Sequence, residues 1–195
     1  MSPTVFVDTD ASADTSSQQR PTVFVDRDGT LNVDQVHGVS IEGLELRPGA
    51  AQAMRAWRDA GWRIVVITNQ SGIARGKYTE LEMHRFHEAL QASLGVTFDA
   101  LYFCPHLPDA GCACRKPAPG MLLQAAREHG IDLRASFMVG DSWLDVEAAE
   151  AVGARSVLVP SKPDTLSKRA KRPDHVAEDL AAAAEWMLSQ SPAAR

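Results

Sequence analysis

Cysteine is scarce in this 195-residue sequence: three residues, Cys104, Cys112 and Cys114, all inside one eleven-residue stretch. An odd number so closely spaced is a poor disulfide framework; it suits a reducing compartment and a metal site. Aromatic residues make up 6% of the chain. No apolar run approaches the ~18–20 residues of a membrane span. Positive charge is not in excess, since 20 Lys and Arg against 25 Asp and Glu give a formal net charge of -5. That balance disfavours a general nucleic-acid binder, although a metal ion and a few placed cations could still hold a compact anion. Neither a basic start nor an apolar stretch marks the first twenty residues, so no secretory signal is expected and the cytoplasm is the expected location. With 13 Gly and 11 Pro the chain is no collagen-like repeat.

What is present fits one α/β domain. Hydrophobic residues are 45% and charged residues 23%, and a chain of this size buries roughly 70% of its unfolded surface. Residues 1–20 read as a disordered tail and residues 21–190 as the domain. The tail holds an oddity: Pro3-Thr4-Val5-Phe6-Val7-Asp8 recurs as Pro21-Thr22-Val23-Phe24-Val25-Asp26. Only the second copy is followed by a turn glycine, Gly29, and a domain-sized pattern, so it is the expected core strand.

From there the sequence alternates. Apolar β runs are predicted at 22–26, 63–68, 101–103, 137–139 and 156–159. Helices are predicted at 48–60, 79–94, 120–128, 145–152 and 176–188. The second has Thr79 as N-cap, Glu82 completing a capping box and Gly95 at its end. Such alternation predicts a parallel sheet covered on both faces, with ligands at the carboxyl ends of its strands.

Polar clusters follow four of those strands. Asp26-Arg27-Asp28-Gly29 alone reads as a strand ending in an Asp-Gly turn; an EF-hand loop lacks its further ligands. Thr68-Asn69-Gln70-Ser71 offers a hydroxyl and amides that can donate to phosphate oxygens. Arg115-Lys116 supplies cations, and Asp141-Ser142-Trp143-Leu144-Asp145 supplies acids. Separately, Cys104-x-His106 and Cys112-x-Cys114 make the ligand set of a closed structural zinc site, which would pin the loop carrying Arg115 and Lys116.

In the order acid, hydroxyl, lysine, acid, the four clusters resemble the haloacid dehalogenase superfamily of phosphohydrolases from residue 21 to about 188. The resemblance implies a Rossmann-like three-layer sandwich and hydrolysis of a phosphate monoester through an aspartyl-phosphate. It makes Asp26 the nucleophile, Asp28 the general acid and base, and Thr68 and Lys116 the groups that steady the transferring phosphoryl. It implies Mg²⁺ on Asp26, Asp28 (through its carbonyl) and Asp141, with Asp145 as a weaker or outer partner. The acid and base role requires Asp28 to be protonated when substrate binds, and a nearby like charge is expected to push it that way.

No separate cap domain fits in the intervals 29–62 and 71–115, so an open site shaped by loops is expected. Asp26 to Asn32, Leu46-Arg47-Pro48-Gly49, Thr68 to Gly76 and the Cys/His loop look like the D-glycero-D-manno-heptose 1,7-bisphosphate 7-phosphatase branch. Histidinol-phosphate phosphatases share the loop and the catalytic motifs. A zinc-stabilised phospho-ligand binding module without turnover is the alternative of another class. In the heptose branch, Asp34, Gln35, Asn69, Gln70, Ser71, Arg115 and Ser142 would contact a small phosphorylated sugar. The expected protein is a monomeric hydrolase of carbohydrate metabolism with no nucleic-acid or membrane partner. His84 and His87 read as a solvated helix face, Lys162 to Arg172 as a basic solvated loop, and Trp57 and Trp62 as packing.

Overall fold

The computed structural model describes residues 5–6, 20–36, 38–161 and 172–190. The remainder of the expected tail, His37 and the basic residues 162–171 lie outside the described residues. Among the described residues seven strands form one sheet in the order β1-β4-β3-β2-β5-β6-β7: β1 (Val5–Phe6), β2 (Thr22–Val25), β3 (Arg63–Asn69), β4 (Ala100–Cys104), β5 (Phe137–Gly140), β6 (Arg155–Leu158) and β7 (His175–Val176). The helices are α1 (Ala50–Asp59), α2 (Glu80–Leu94), α3 (Gly120–His129), α4 (Trp143–Val152) and α5 (Leu180–Gln190). The result is a Rossmann-like α/β sandwich.

The apolar runs become central strands because both faces of the sheet are covered. Along β2, Val23 and Val25 join the layer of α1, α2 and α5, whereas Phe24 faces α3 and α4. Ile64 and Val66 divide from Val65 and Ile67 in the same way along β3. Each such fully buried side chain contributes about 1.5–3 kcal/mol. Trp57 and Trp62 are buried as expected. In α2, Thr79 Oγ1 accepts from Glu82 N at 3.2 Å and Glu82 Oε2 accepts from Thr79 N at 2.7 Å, the capping box read from sequence. Gly49 lets α1 meet α5 closely: a Cβ there would lie 2.5 Å from Ala181 N.

Two expectations are corrected. Val5–Phe6, within the expected tail, pairs antiparallel with β4, so the otherwise parallel sheet has an antiparallel rim. The stretch from Val176 does not begin a helix. Asp174 Oδ2 accepts from Ser156 N (2.7 Å) and Oγ (3.0 Å), which ties His175–Val176 to β6 as a strand, and α5 starts at Leu180.

The chain runs outward from β2 through β3 and β4, then returns to β5 on the opposite side of β2. The carboxyl ends of β2, β3 and β5 therefore meet at the point where strand order reverses, the usual crevice of an open α/β sheet. Among the described residues no helix is long and apolar enough to cross a membrane.

Candidate functional site

Three strand ends and one loop converge on a buried lysine. Lys116, 3% exposed, sends Nζ to Asp26 Oδ1 and Asp145 Oδ1, both at 2.6 Å, and to the Ile67 carbonyl at 2.9 Å. Burial pulls the Lys116 pKa down, but Asp145 and Asp26 overcome it and hold the ammonium charged well above its ordinary range. Asn69 fixes the lysine's backbone, donating from Nδ2 to the Lys116 carbonyl and accepting from the Lys116 N–H, both at 3.1 Å.

Asp26 follows β2, and its N–H donates to the Val139 carbonyl at 2.9 Å. Burial pushes the Asp26 carboxyl well above its usual range; Asp145 and Asp141 push the same way and Lys116 opposes them. Asp141 is likewise raised, by burial first and by Asp145, against a 2.5 Å hydrogen bond from Ser161 Oγ. Carboxylate oxygens of Asp26, Asp141 and Asp145 all lie within 4.8 Å of one another. Three acids facing one ammonium leave negative charge uncompensated, and hard oxygen donors at this spacing fit a small divalent cation such as Mg²⁺. Asp145 is largely spoken for: Oδ1 takes Lys116, and Oδ2 takes Ser142 N (3.2 Å) and Oγ (2.8 Å) at the start of α4. Ser142 thus orients an acid. Asp26 and Asp141 remain the better placed ligands.

Asp28 lies in a different field from the one expected. Arg27 grips both its oxygens, Nε to Oδ1 at 3.0 Å and Nη2 to Oδ2 at 2.5 Å. Gln70 Nε2 adds a bond to Oδ2 at 2.8 Å and Asn32 Nδ2 one to Oδ1 at 3.1 Å. Burial raises this carboxyl, but the Arg27 charge and the hydrogen bonds outweigh it and hold Asp28 below its ordinary value. The expected push from a nearby like charge is corrected for the free protein, because the neighbour that dominates is the Arg27 cation.

The other expected residues divide. Gln70 Nε2 also donates to Thr68 Oγ1 (2.7 Å), and its Oε1 accepts from Arg27 Nη2 (3.0 Å) and Tyr78 OH (2.5 Å), so the amide joins Thr68 to Asp28. Ser71 is buried. Gln35 folds onto Ser40, donating to its carbonyl at 2.9 Å and accepting from its N–H at 2.8 Å, and Asp34 Oδ1 accepts from Val36 N. Arg115 donates to the His106 carbonyl at 3.2 Å.

That carbonyl belongs to the second cluster. Cys104 Sγ, His106 Nδ1, Cys112 Sγ and Cys114 Sγ approach one another at 3.3–3.6 Å, with all three thiols free of disulfides. A tetrahedral zinc ion would set its sulfur and nitrogen ligands about 3.5–3.8 Å apart, so the four residues fit it. Burial pushes the Cys104 and Cys114 thiols up. It raises Cys112 less than hydrogen bonds from Cys114, Cys104 and backbone N–H groups lower it.

A family model described as HAD-hydrolase-like matches residues 113–183. The D-glycero-D-manno-heptose-1,7-bisphosphate 7-phosphatase of Thermosynechococcus vestitus is 42% identical over 189 residues, covering 87% of this chain and 96% of its own. D-glycero-beta-D-manno-heptose-1,7-bisphosphate 7-phosphatase of Yersinia pestis is 40% identical over 185 residues, covering 89% and 92%. Among solved structures, D,D-heptose 1,7-bisphosphate phosphatase from B. bronchiseptica, complexed with magnesium and phosphate, superposes with a TM-score of 0.82 at 38% identity. It covers 88% of this chain and 99% of its own. This chain belongs to the heptose-bisphosphate phosphatase family of HAD-like hydrolases.

Within this HAD-like phosphatase, two polar residues beside the site, Arg27 and Tyr78, went unread from sequence, and the expectation for a third, His87, is corrected. Arg27 is 1% exposed between the two aspartates. His87, expected on a solvated face, is 4% exposed with Nε2 3.0 Å from Arg27 Nη1. Tyr78 closes over Gln70. A signal existed for His87: it falls on the stripe of Met83, Phe86 and Leu90, the buried face of α2.

Proposed function

We propose that the protein hydrolyses the C7 phosphate of D-glycero-D-manno-heptose 1,7-bisphosphate through an aspartyl-phosphate on Asp26. The observation that carries the reading is the convergence of Asp26, Lys116 and Asp141 at the end of β2, with Thr68 and Asp28 joined beside them by Gln70. Relatives about 40% identical over most of the chain bear that activity in their names.

In the first step an Asp26 carboxylate oxygen attacks phosphorus, and the bond from phosphorus to the C7 oxygen breaks. Asp28 gives its proton to the departing alkoxide. In the second step Asp28 takes a proton from water as that water attacks phosphorus. The bond to Asp26 breaks, releasing inorganic phosphate. Lys116 and the Thr68 hydroxyl sit against charge spread over the equatorial oxygens. Asp28 is ionised in the free protein, so it takes up its proton with the substrate, whose negative charge raises it as any like charge would. Mg²⁺ would be held by Asp26, Asp141 and the Asp28 carbonyl, neutralising charge between nucleophile and phosphoryl group. Zinc on Cys104, His106, Cys112 and Cys114 would hold the loop that delivers Arg115 and Lys116. Arg115, Asp34, Gln35, Asn69 and Ser71 are proposed to line the approach to the substrate. The reading puts the enzyme in the cytoplasm as a monomer, where thiols stay reduced for zinc.

The test is phosphate release from both anomers of the heptose bisphosphate and from histidinol phosphate in parallel, with Asp26→Asn as control. Heptose bisphosphate is expected to be turned over with the highest kcat/KM and Asp26→Asn to abolish turnover. Faster turnover of histidinol phosphate would overturn the substrate. An active Asp26→Asn would overturn the mechanism.

A further inference from the structure

Arg27 carries out none of the chemistry proposed above, yet its guanidinium is the hub of the buried polar network beside the site. Nε and Nη2 hold both Asp28 oxygens, Nη2 also reaches Gln70, and Nη1 meets His87 Nε2 at 3.0 Å. Its Cζ lies 4.8 Å from the Phe86 ring centroid. Arginine can only donate, so His87 Nε2 accepts and the imidazole is neutral with its proton on Nδ1. Burial, then Arg27 and His84, hold the His87 pKa well below the ordinary imidazole value, in agreement. His87 Nδ1 is buried with no hydrogen-bond partner among the described residues. Leaving such a donor unpaired carries the desolvation penalty of a buried N–H. The histidine gives up one hydrogen bond and keeps the one to Arg27.

We propose that Arg27 is the positioning residue for Asp28, with His87 bracing the guanidinium from α2. The inference rests on the reading of Asp28 as the proton donor and acceptor. A carboxylate held at one point can swing about its side-chain torsions. A planar fork on both oxygens fixes its plane, and lysine, a point charge, does not. The fork in turn needs its third corner held, because Nη1 without an acceptor would draw the guanidinium toward other partners.

The prediction separates geometry from fold through the leaving group. A sugar alkoxide needs a proton as it departs; p-nitrophenolate, a stable anion, does not. The second step, in which Asp28 takes a proton from water, is common to both substrates, so the first step is measured alone: single-turnover rates of release of the heptose monophosphate and of p-nitrophenolate are compared for Asp28→Asn, Arg27→Lys, His87→Leu and His87→Gln, with thermal melting and inhibition by inorganic phosphate reporting the folded site. Arg27→Lys is expected to lower this first-step rate on the sugar phosphate by at least about tenfold. The half-saturating substrate concentration should stay within about threefold, with a much smaller loss of the first-step rate on p-nitrophenyl phosphate. His87→Leu should shift the same ratio in the same direction, and His87→Gln, whose Oε1 can accept from Nη1, should restore most of it.

Equal losses on the two substrates, or a glutamine variant as impaired as the leucine one, would overturn the inference. If Asp28→Asn is selective and Arg27→Lys is not, Arg27 alone loses its role. If Asp28→Asn shows no selectivity, the proton-transfer reading falls, and the inference with it. Should Arg27→Lys fail to fold, the His87 pair decides.

Discussion

A Cβ on Gly29 would overlap Oδ2 of Asp141. Gly29 also sits at φ +85°, where L side chains are strained. The loop after β2 can therefore pass the acid after β5 only if position 29 has no side chain. Gly29→Ala is expected to push the Asp141 carboxylate out of the acid cluster. The apparent Mg²⁺ requirement in a phosphate-release titration should rise at least about tenfold, with a stability loss of about 1–3 kcal/mol from the strained backbone. Unchanged magnesium activation would show that Asp141 tolerates the displacement.

Lys116 neutralises two acids at once, so Lys116→Met leaves Asp26 and Asp145 buried together without their cation. Removing one partner of a buried ion pair typically costs about 3–5 kcal/mol, and protonation of one acid will offset part of that. Turnover should fall about 10²–10³-fold, the usual effect of losing one group that stabilises transition-state charge. Chemical denaturation and single-turnover kinetics on the same preparation separate the two losses.

The raised carboxyls give a pH signature. Asp26 and Asp141 have folded pKa values above their unfolded ones, so the folded form binds more protons between those values. Metal-free stability therefore falls as pH rises through that window. Asp28 has the opposite sign: its lowered pKa contributes stability above its unfolded value, and this is lost only in stronger acid. A divalent cation on the acids relieves the penalty at high pH. The rise in Tm on adding Mg²⁺ should thus be larger at pH 8 than at pH 5, measured by differential scanning calorimetry; an equal rise would contradict the account.

Zinc and activity should be coupled through the loop. Gly120 N donates to the Ala113 carbonyl at 3.0 Å, and a Cβ at position 120 would overlap that oxygen. Ala113 lies between two of the thiols, and Lys116 follows two residues after the second. Cys114→Ser, and more mildly Gly120→Ala, should lower both zinc content by metal analysis and kcat with Mg²⁺ in excess. Zinc-stripped protein that retains full kcat would show that Lys116 is placed without the loop's metal.

Local signals carried the legible part of this molecule. The apolar runs of β2 and β3, the Thr79–Glu82 box and the glycine closing α2 each depend on residues within a turn of one another, and each appears as read. The sheet-end acids were legible because aspartates at the tip of a buried strand oppose strand propensity. The state of Asp28 was not. It depends on Arg27 turning inward to meet His87, 60 positions away, and Gln70, 43 positions away. Sequence shows the charge of Arg27 but not its direction. The edge strand escaped for a related reason: two residues make a β element only when β4 offers them backbone partners.

That short rim strand has a consequence for handling the protein. By pairing with Leu101 and Tyr102 it occupies amide and carbonyl groups of β4 that would otherwise point outward, the kind of open border through which molecules stack into larger assemblies. A version trimmed to begin at residue 20 would expose that border, and its colloidal behaviour in concentrated stocks, followed by light scattering, should be worse than that of the intact chain.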